Sequence, residues 1–195
     1  ADQHEFGSYH LFLAHHTTEK AEEFNRLMRS LYLRPNPYTP DNLTIIMDNS
    51  IVELGGSVDD QMILDSVNIV QKWYDLRSHK MWRPTVIPVL PDVMGDGVAT
   101  IALAEEAYHR WAGTGGVMEG KDPFMLVTQG KNWQDFTKLV DYFFITHGEK
   151  FRRIGWVGIP RWATNNWVEP LGVNVRAEMV KYIQMVAPWV KIHLL

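Results

Sequence analysis

Acidic and amide side chains follow three apolar runs of this sequence, at the points where buried strands would end. Asp48 follows the run 43–47, Asp92 follows 85–90, and Gln129 follows 124–127. Ligands of parallel α/β proteins bind at the carboxyl ends of strands. Carboxylates and an amide at that edge can accept and donate hydrogen bonds to a flat heterocycle, and a second carboxylate can act as a general acid or base. The alternative is that Asp48-Asn49-Ser50 only turns the chain, since all three residue types favour turns.

Glycine and arginine occupy equivalent positions after later apolar runs. Gly130 follows Gln129, and Gly158 lies near the end of the run 154–159. Without a Cβ, each glycine lets the main chain approach the edge of a bound ring. Arg161 comes two residues after the same run and is a candidate for contact with a phosphate. Together with the acids and the amide, the glycines predict a binding site for a planar heterocycle.

Metal binding has less support from the sequence. There is no cysteine, which excludes disulfides and thiolate zinc ligands within these residues. His15 and His16 follow the first apolar run and are ligand types, but they lack the spacing of a metal motif. We therefore expect no metal and no other cofactor. A metal-dependent hydrolase that uses His15, His16, Asp48 and Asp92 stays an alternative.

Composition places the chain among ordinary globular proteins. It has 195 residues, 46% of them hydrophobic and 22% charged, with a net charge of −4. This charge gives no global basic field for nucleic acid, although a local basic patch remains compatible with it. No apolar run reaches membrane-spanning length and the first residues are polar, so we expect a cytoplasmic protein without membrane contact.

Six apolar runs and five amphipathic segments alternate along the chain. The predicted strands are 9–14, 43–47, 85–90, 124–127, 154–159 and 190–195. The first predicted helix is capped by Thr17 or Thr18 and ends near Leu31. The other predicted helices are 62–73, 98–112, 133–144 and 175–187. Alternating strands and helices predict a parallel sheet with right-handed crossovers.

The length of each strand–helix unit favours a barrel over an open sheet. A (β/α)₈ barrel uses roughly thirty residues per unit. A doubly wound sheet usually has a glycine-rich turn after its first strand, whereas this chain has His15-His16-Thr17-Thr18 there. We therefore predict an α/β fold of the TIM-barrel type, incomplete in this chain, with about six strands and five helices. Residues 1–195 would form a single partial domain.

Five short motifs follow one another along the chain. They are Met47-Asp48-Asn49-Ser50-x-x-Glu53, Leu90-Pro91-Asp92-Val93, Val127-Thr128-Gln129-Gly130, Gly155-Trp156-Val157-Gly158-Ile159-Pro160 and Ile192-His193-Leu194-Leu195. In the same order, they resemble motifs of the tRNA-guanine transglycosylase superfamily. The likeness is strongest to its phage and bacterial branch, the DNA 7-deazaguanine transglycosylases, and spans most of the chain.

The resemblance implies a TIM-barrel glycosyltransferase that exchanges guanine in a nucleic acid for a 7-deazaguanine such as preQ0. It implies that Asp48 acts as an acid or base beside the ribose and that Asp92 contacts the edge of the base. Gln129, Gly130 and Gly158 match positions of the base pocket. The partners would be a 7-deazaguanine and a nucleic acid, with DNA expected in preference to tRNA.

The chain also departs from the family pattern. The nucleophilic Asp of the family lies on the strand after the one that matches 192–195, and the zinc-binding cysteines are missing. The chain is then a fragment, or a second polypeptide completes the barrel, or it is a non-catalytic subunit. Because six strands leave open edges, we expect a homo-oligomer or a second subunit.

Overall fold

A computed structural model describes residues 9–32, 44–49, 60–75, 85–112, 123–161 and 175–195. Internal contacts divide the chain into two compact units. The first contains Ala1–Leu54 and Val58–Pro88, and the second contains Gly55–Ser57 and Val89–Leu195. Each unit is α/β with a three-stranded parallel sheet. The α/β class and the parallel pairing predicted from the sequence are therefore confirmed, while the described strands form no closed barrel.

The first unit contains strands β1 Tyr9–Leu13, β2 Thr44–Asp48 and β3 Thr85–Pro88. They pair in parallel in the order β1-β2-β3. The three apolar residues in the middle of β2, residues 45–47, are fully buried. A continuous apolar run of this kind is typical of a parallel strand that is covered on both faces. Proline ends β3, at the edge of this sheet, where a missing N–H is tolerated.

Helices α1 His16–Glu19, α2 Ala21–Tyr32 and α3 Asp60–Asp75 belong to the same unit. Phe24 and Met28 of α2 lie one turn apart and are buried. The Phe24 ring packs edge-on against Phe12 of β1, with 5.6 Å between the ring centroids. The hydroxyl groups of Thr17 and Ser66 are 2.8 Å apart, and both donate to the main-chain oxygen of Ala14. These contacts fix the end of β1 against α3.

The second unit contains strands β4 Phe124–Val127, β5 Ile154–Ile159 and β6 Lys191–Leu194, paired in parallel in that order. A bulge interrupts the register between Phe124 and Met125. Val89 forms a parallel bridge with Met125, and the N–H of Leu90 donates to the main-chain oxygen of Met125 over 2.9 Å. Val89 and Leu90, which directly follow β3 in the chain, therefore lie beside β4.

The helices of the second unit are α4 Gly97–Ala112, α5 Trp133–Asp141 and α6 Val175–Val186. A π-helical turn, Tyr142–Thr146, continues α5. Asn132 caps α5 by accepting from the N–H of Asp135, and Asp96 caps α4 by accepting from the N–H of Ala99; Asn and Asp are preferred residues at this position of a helix. Several large aromatic side chains, which are fully buried, fill the core: Trp111, Phe124, Phe136 and Phe143.

Most predicted elements agree with the structure to within two residues at each end. Three further segments have sequence signals but lie outside the described residues. The prolines of 34–41 predict a loop, Ser57 and Asp60 predict a variant of the capping box, and the glycines of 113–121 predict a flexible connection. In the part of the chain that is described, no helix combines the length and the apolar character needed to cross a membrane.

Candidate functional site

Asp92 and Gln129, which follow consecutive predicted strands, meet in the second unit. The side-chain amide of Gln129 donates through Nε2 to Oδ2 of Asp92 over 2.5 Å. Asp92 is 3% exposed and Gln129 is 5% exposed. A hydrogen bond from an amide to a buried carboxylate is charge-assisted and stronger than a neutral one. The pair therefore forms a rigid polar centre at the carboxyl end of β4.

The main chain of Gly95 fixes the orientation of the Gln129 amide. Its N–H donates to Oε1 of Gln129 over 3.1 Å. Because a main-chain N–H can only donate, the amide must turn its oxygen toward Gly95 and its NH₂ group toward Asp92. Gly95 has a φ of 69°, a conformation that favours glycine. The sequence marks Gly95 as a turn residue but gives no sign that it contacts Gln129.

The loops after β3 and β4 are tied together around this centre. Oδ2 of Asp135 accepts from the N–H groups of Gly97 and Lys131 over 3.2 Å and 3.1 Å. A Cβ at Gly97 would lie 3.1 Å from the main-chain oxygen of Gln129. The start of α4 therefore packs closely on the chain segment that carries Gln129, which limits the movement of the amide.

Gly130 and Gly158 pack closely against neighbouring groups. A Cβ at Gly130 would lie 2.9 Å from the main-chain nitrogen of Phe136, and one at Gly158 would lie 2.9 Å from Cδ1 of Leu195. The main-chain oxygen of Gly158 accepts from the N–H and the hydroxyl of Thr128. These contacts give both glycines a packing role, in addition to the base-pocket role that the resemblance implies.

Two arginines lie at the carboxyl end of β5. Arg161 follows Pro160 and is exposed. Arg176, in the first turn of α6, donates through Nη2 to the main-chain oxygens of Ile159 and Leu195 over 3.3 Å and 3.0 Å. The sequence analysis selected Arg161 and missed Arg176. A sequence signal for Arg176 does exist, because a cation in the first turn of a helix opposes the helix dipole.

The first unit carries the other candidates at the carboxyl ends of its strands. Asp48 ends β2, is partly exposed and pairs in register with Leu13 of β1. The N–H of Ala14 donates to the main-chain oxygen of Asp48 over 3.0 Å. His15 and His16 follow, with their ring centroids 4.2 Å apart. Burial is the largest cause that lowers the pKa of His16, which favours its neutral form at pH 7.

Neither of two surface grooves in the second unit is lined by the Asp92–Gln129 pair. One groove, of about 490 Å³, lies between the starts of α4 and α5 and includes Asp96 and Lys131. The other, of about 650 Å³, lies beside the π-helical turn and includes Trp189. Among the described residues, no group of three His, Cys, Asp or Glu side chains could hold a metal ion. The metal-dependent alternative therefore gains no support from this part of the chain.

Comparisons with known proteins give no relative for this chain. No protein-family model, no curated protein sequence and no solved structure matches it. A functional proposal therefore depends on the Asp92–Gln129 pair and on the motifs that surround it.

Proposed function

We propose that this chain binds a guanine-type base and belongs to an enzyme that exchanges guanine in a nucleic acid, DNA in preference to tRNA, for a 7-deazaguanine such as preQ0. The observation that carries the proposal is the buried pair in which Gln129 donates to Asp92 over 2.5 Å. The two residues come from motifs that are separated by more than thirty positions in the sequence. The same two motifs contribute base-contacting residues in the family that the sequence resembles.

The hydrogen-bonding groups of the pair suit guanine. One N–H of the Gln129 amide donates to Asp92 and its Oε1 accepts from Gly95, so the second N–H is the donor that the amide can offer a ligand. Each carboxylate oxygen of Asp92 accepts more than one hydrogen bond. A donor beside an acceptor complements the O6 and N1–H groups of guanine, and the 2-amino group supplies another donor to the carboxylate. Adenine has the opposite pattern at positions 6 and 1, so the pair should discriminate against it.

The order of the strands supports a TIM-type barrel as the finer form of the fold. In a doubly wound sheet the first strand lies inside the sheet, next to a strand from the other half. Here β2 lies between β1 and β3, and the residues directly after β3 pair with β4. Within each unit, neighbouring strands thus follow one another in chain order, as they do in a (β/α)₈ barrel. Under this proposal further strands, from the same or a second polypeptide, complete the barrel.

The proposed roles of the other residues come from the resemblance. Asp48 would act as the acid or base beside the ribose, and its position at the carboxyl end of β2 with partial exposure supports this. Arg161 would contact a phosphate, which its exposure allows. The covalent intermediate would form on an Asp of a later strand. If a second polypeptide supplies that Asp, this chain is the base-binding subunit of the enzyme.

Base exchange tests the proposal directly. DNA is incubated with labelled guanine or preQ0 and the purified protein, and incorporation of label is compared between the wild type, Asp48→Ala and Asp92→Ala. Losing a positioned acid or base, as in Asp48→Ala, lowers a rate by about 100-fold or more, and Asp92→Ala removes the hydrogen-bond acceptor for the base. We therefore expect both variants to lose exchange while keeping the wild-type circular dichroism spectrum. Asp65→Ala is the matched control, because Asp65 is an exposed residue of α3.

The results of this assay distinguish the alternatives within the proposal. Full exchange by both Asp48→Ala and Asp92→Ala would show that the proposed site is wrong. If the wild type binds preQ0 but does not exchange it until a second polypeptide is added, this chain is the partner-completed subunit. If the wild type neither exchanges nor binds either base, the proposal is overturned.

A further inference from the structure

The guanidinium group of Arg176 is held at the carboxyl ends of two neighbouring strands. Its Nη2 atom donates to the main-chain oxygens of Ile159, at the end of β5, and of Leu195, directly after β6. The Nε atom is buried and has no hydrogen-bond partner among the described residues. The side chain as a whole is partly buried. Arg176 is therefore fixed in position, with only part of its donor capacity used.

No Asp or Glu side chain among the described residues forms an ion pair with Arg176. Glu178, in the same helical turn, pairs with Lys181 over 2.7 Å. Charged side chains that are removed from water are normally paired. The position in the first turn of α6 adds a further cost, because the helix dipole disfavours a cation there. A fixed cation without an acidic side-chain partner suits an anionic ligand.

The field of Arg176 reaches the neighbouring strand. Burial is the main cause that lowers the pKa of His193 on β6, and the charge of Arg176 lowers it further. His193 is thus held in its neutral form at pH 7, which leaves the arginine as the positive group at this strand end. Arg161, also at the carboxyl end of β5, is exposed and adds a second cation nearby in the chain.

We propose that Arg176, together with Arg161, binds a phosphate oxyanion, and that this phosphate belongs to the backbone of the nucleic acid whose base is exchanged. The identity of the ligand rests on the proposed function. Nη2 holds the guanidinium against the strand ends, while Nη1 makes no hydrogen bond to the described residues and can donate to the oxyanion. The site lies at the strand ends where a base-exchanging enzyme must bind its polymer.

Salt dependence of DNA binding tests this proposal. The affinity of the full chain for a fluorescein-labelled single-stranded DNA is measured by anisotropy over a series of KCl concentrations. Each phosphate contact contributes about 0.7 to the slope of log affinity against log salt for single strands. We expect Arg176→Gln to weaken binding and to lower the magnitude of this slope by about 0.7. Arg176→Lys keeps the charge and should keep the slope, with weaker binding because the planar fork is lost.

A matched control comes from the other end of the same strand. Arg152 is exposed and precedes β5, so Arg152→Gln removes the same charge without touching the proposed site. We expect it to leave the slope unchanged. The proposal is overturned if Arg176→Gln binds DNA with the wild-type affinity and slope, or if Arg152→Gln has the same effect as Arg176→Gln.

If Arg176→Gln does not fold, a second variant tests the proposal. Arg161→Gln alters an exposed side chain, so its fold should be intact, and we expect it to lower the slope by about 0.7 as well. An unchanged slope in Arg161→Gln would then overturn the proposal. Urea unfolding shows whether each of the two variants is folded, and therefore which of them tests the proposal.

Competition with inorganic phosphate shows whether the site binds a phosphate of the nucleic-acid backbone or free phosphate. At matched ionic strength, we expect millimolar phosphate to leave the DNA affinity unchanged. If phosphate displaces the DNA and Arg176→Gln no longer binds phosphate, the site serves free phosphate and the nucleic-acid assignment is overturned. Binding of free preQ0 is measured in parallel. We expect Arg176→Gln to bind preQ0 as the wild type does and Asp92→Asn to bind it more weakly, so a failure of the phosphate proposal is separable from a failure of the base site.

Discussion

Replacing Gln129 with leucine perturbs the centre of the proposed site most sharply. Leucine has a similar volume, so the change removes polar atoms without opening a large cavity. The carboxylate of Asp92, which is 3% exposed, loses the donor that lies 2.5 Å from Oδ2. The N–H of Gly95 loses the acceptor that lies 3.1 Å away. Both groups lose one polar partner and have little access to water to replace it.

The expected loss of stability follows from these two hydrogen bonds. A hydrogen bond to a charged group contributes about 1.5–3 kcal/mol, and leaving a buried N–H unsatisfied costs about 1–3 kcal/mol. We therefore expect Gln129→Leu to lower the free energy of unfolding by about 3–5 kcal/mol. Against a total stability of about 5–15 kcal/mol for a typical protein, this is a large change.

Gln129→Glu gives a separate signature in the pH dependence of stability. Two carboxyl groups 2.5 Å apart cannot both ionise, so the pair keeps a proton and its folded-state pKa is raised. A raised folded pKa means that the unfolded state binds fewer protons. The stability of the variant is then highest below the unfolded carboxyl pKa of about 4, and it is lost as the pH rises through the folded pKa.

Urea unfolding followed by tryptophan fluorescence measures both effects, at one pH for Gln129→Leu and over a series of pH values for Gln129→Glu. The matched control is Gln134→Leu, because Gln134 is exposed on α5, and we expect it to stay within about 0.5 kcal/mol of the wild type. If Gln129→Leu also stays within about 0.5 kcal/mol at an unchanged m-value, the buried hydrogen bonds of Gln129 do not stabilise the protein, and the reasoning from the Asp92–Gln129 pair is refuted.

Two further predictions concern packing and a tyrosine. Gly130→Ala places a Cβ 2.9 Å from the main-chain nitrogen of Phe136, so we expect a loss of about 1–3 kcal/mol; an unchanged thermal midpoint would contradict this. The hydroxyl of Tyr142 donates to Glu105 over 2.6 Å, which raises the pKa of Tyr142 to about 12. Its contribution to stability is therefore complete below pH 10 and lost as the pH rises toward 12, which Tyr142→Phe should abolish. Ultraviolet titration of tyrosinate checks this, and an ionisation near pH 10 would contradict it.

The strands could be predicted because a buried parallel strand needs a continuous run of apolar residues. Residues 45–47 are apolar without interruption, and the structure buries all three completely. The helix caps at Asp96 and Asn132 were also predictable, because a cap depends on residues three positions apart. The order of the strands in the sheets was harder to predict from the sequence. The bridge between Val89 and Met125 joins residues that are far apart in the sequence, and no local pattern specifies such a pairing.

The sequence identified Asp92 and Gln129 as candidates by their positions after strands, but it could not show that they share a hydrogen bond. That contact depends on the orientation of the Gln129 amide, which is set by the main chain of Gly95 in a positive-φ conformation. Arg176 was missed for a related reason. Its partners are main-chain oxygens at the ends of strands, and these leave no pattern of side chains in the sequence.

Calorimetric titration of the purified chain with preQ0 and guanine, and with hypoxanthine as the analogue that lacks the 2-amino group, tests the base site most directly. We expect wild-type protein to bind both 2-amino bases and to bind hypoxanthine about 10- to 100-fold more weakly, because one donor to Asp92 is lost. Asp92→Asn, with an unchanged circular dichroism spectrum, should lose this preference. Equal binding of all three bases by the wild type and by Asp92→Asn, or no binding of any of them, would contradict the proposed role of the Asp92–Gln129 pair.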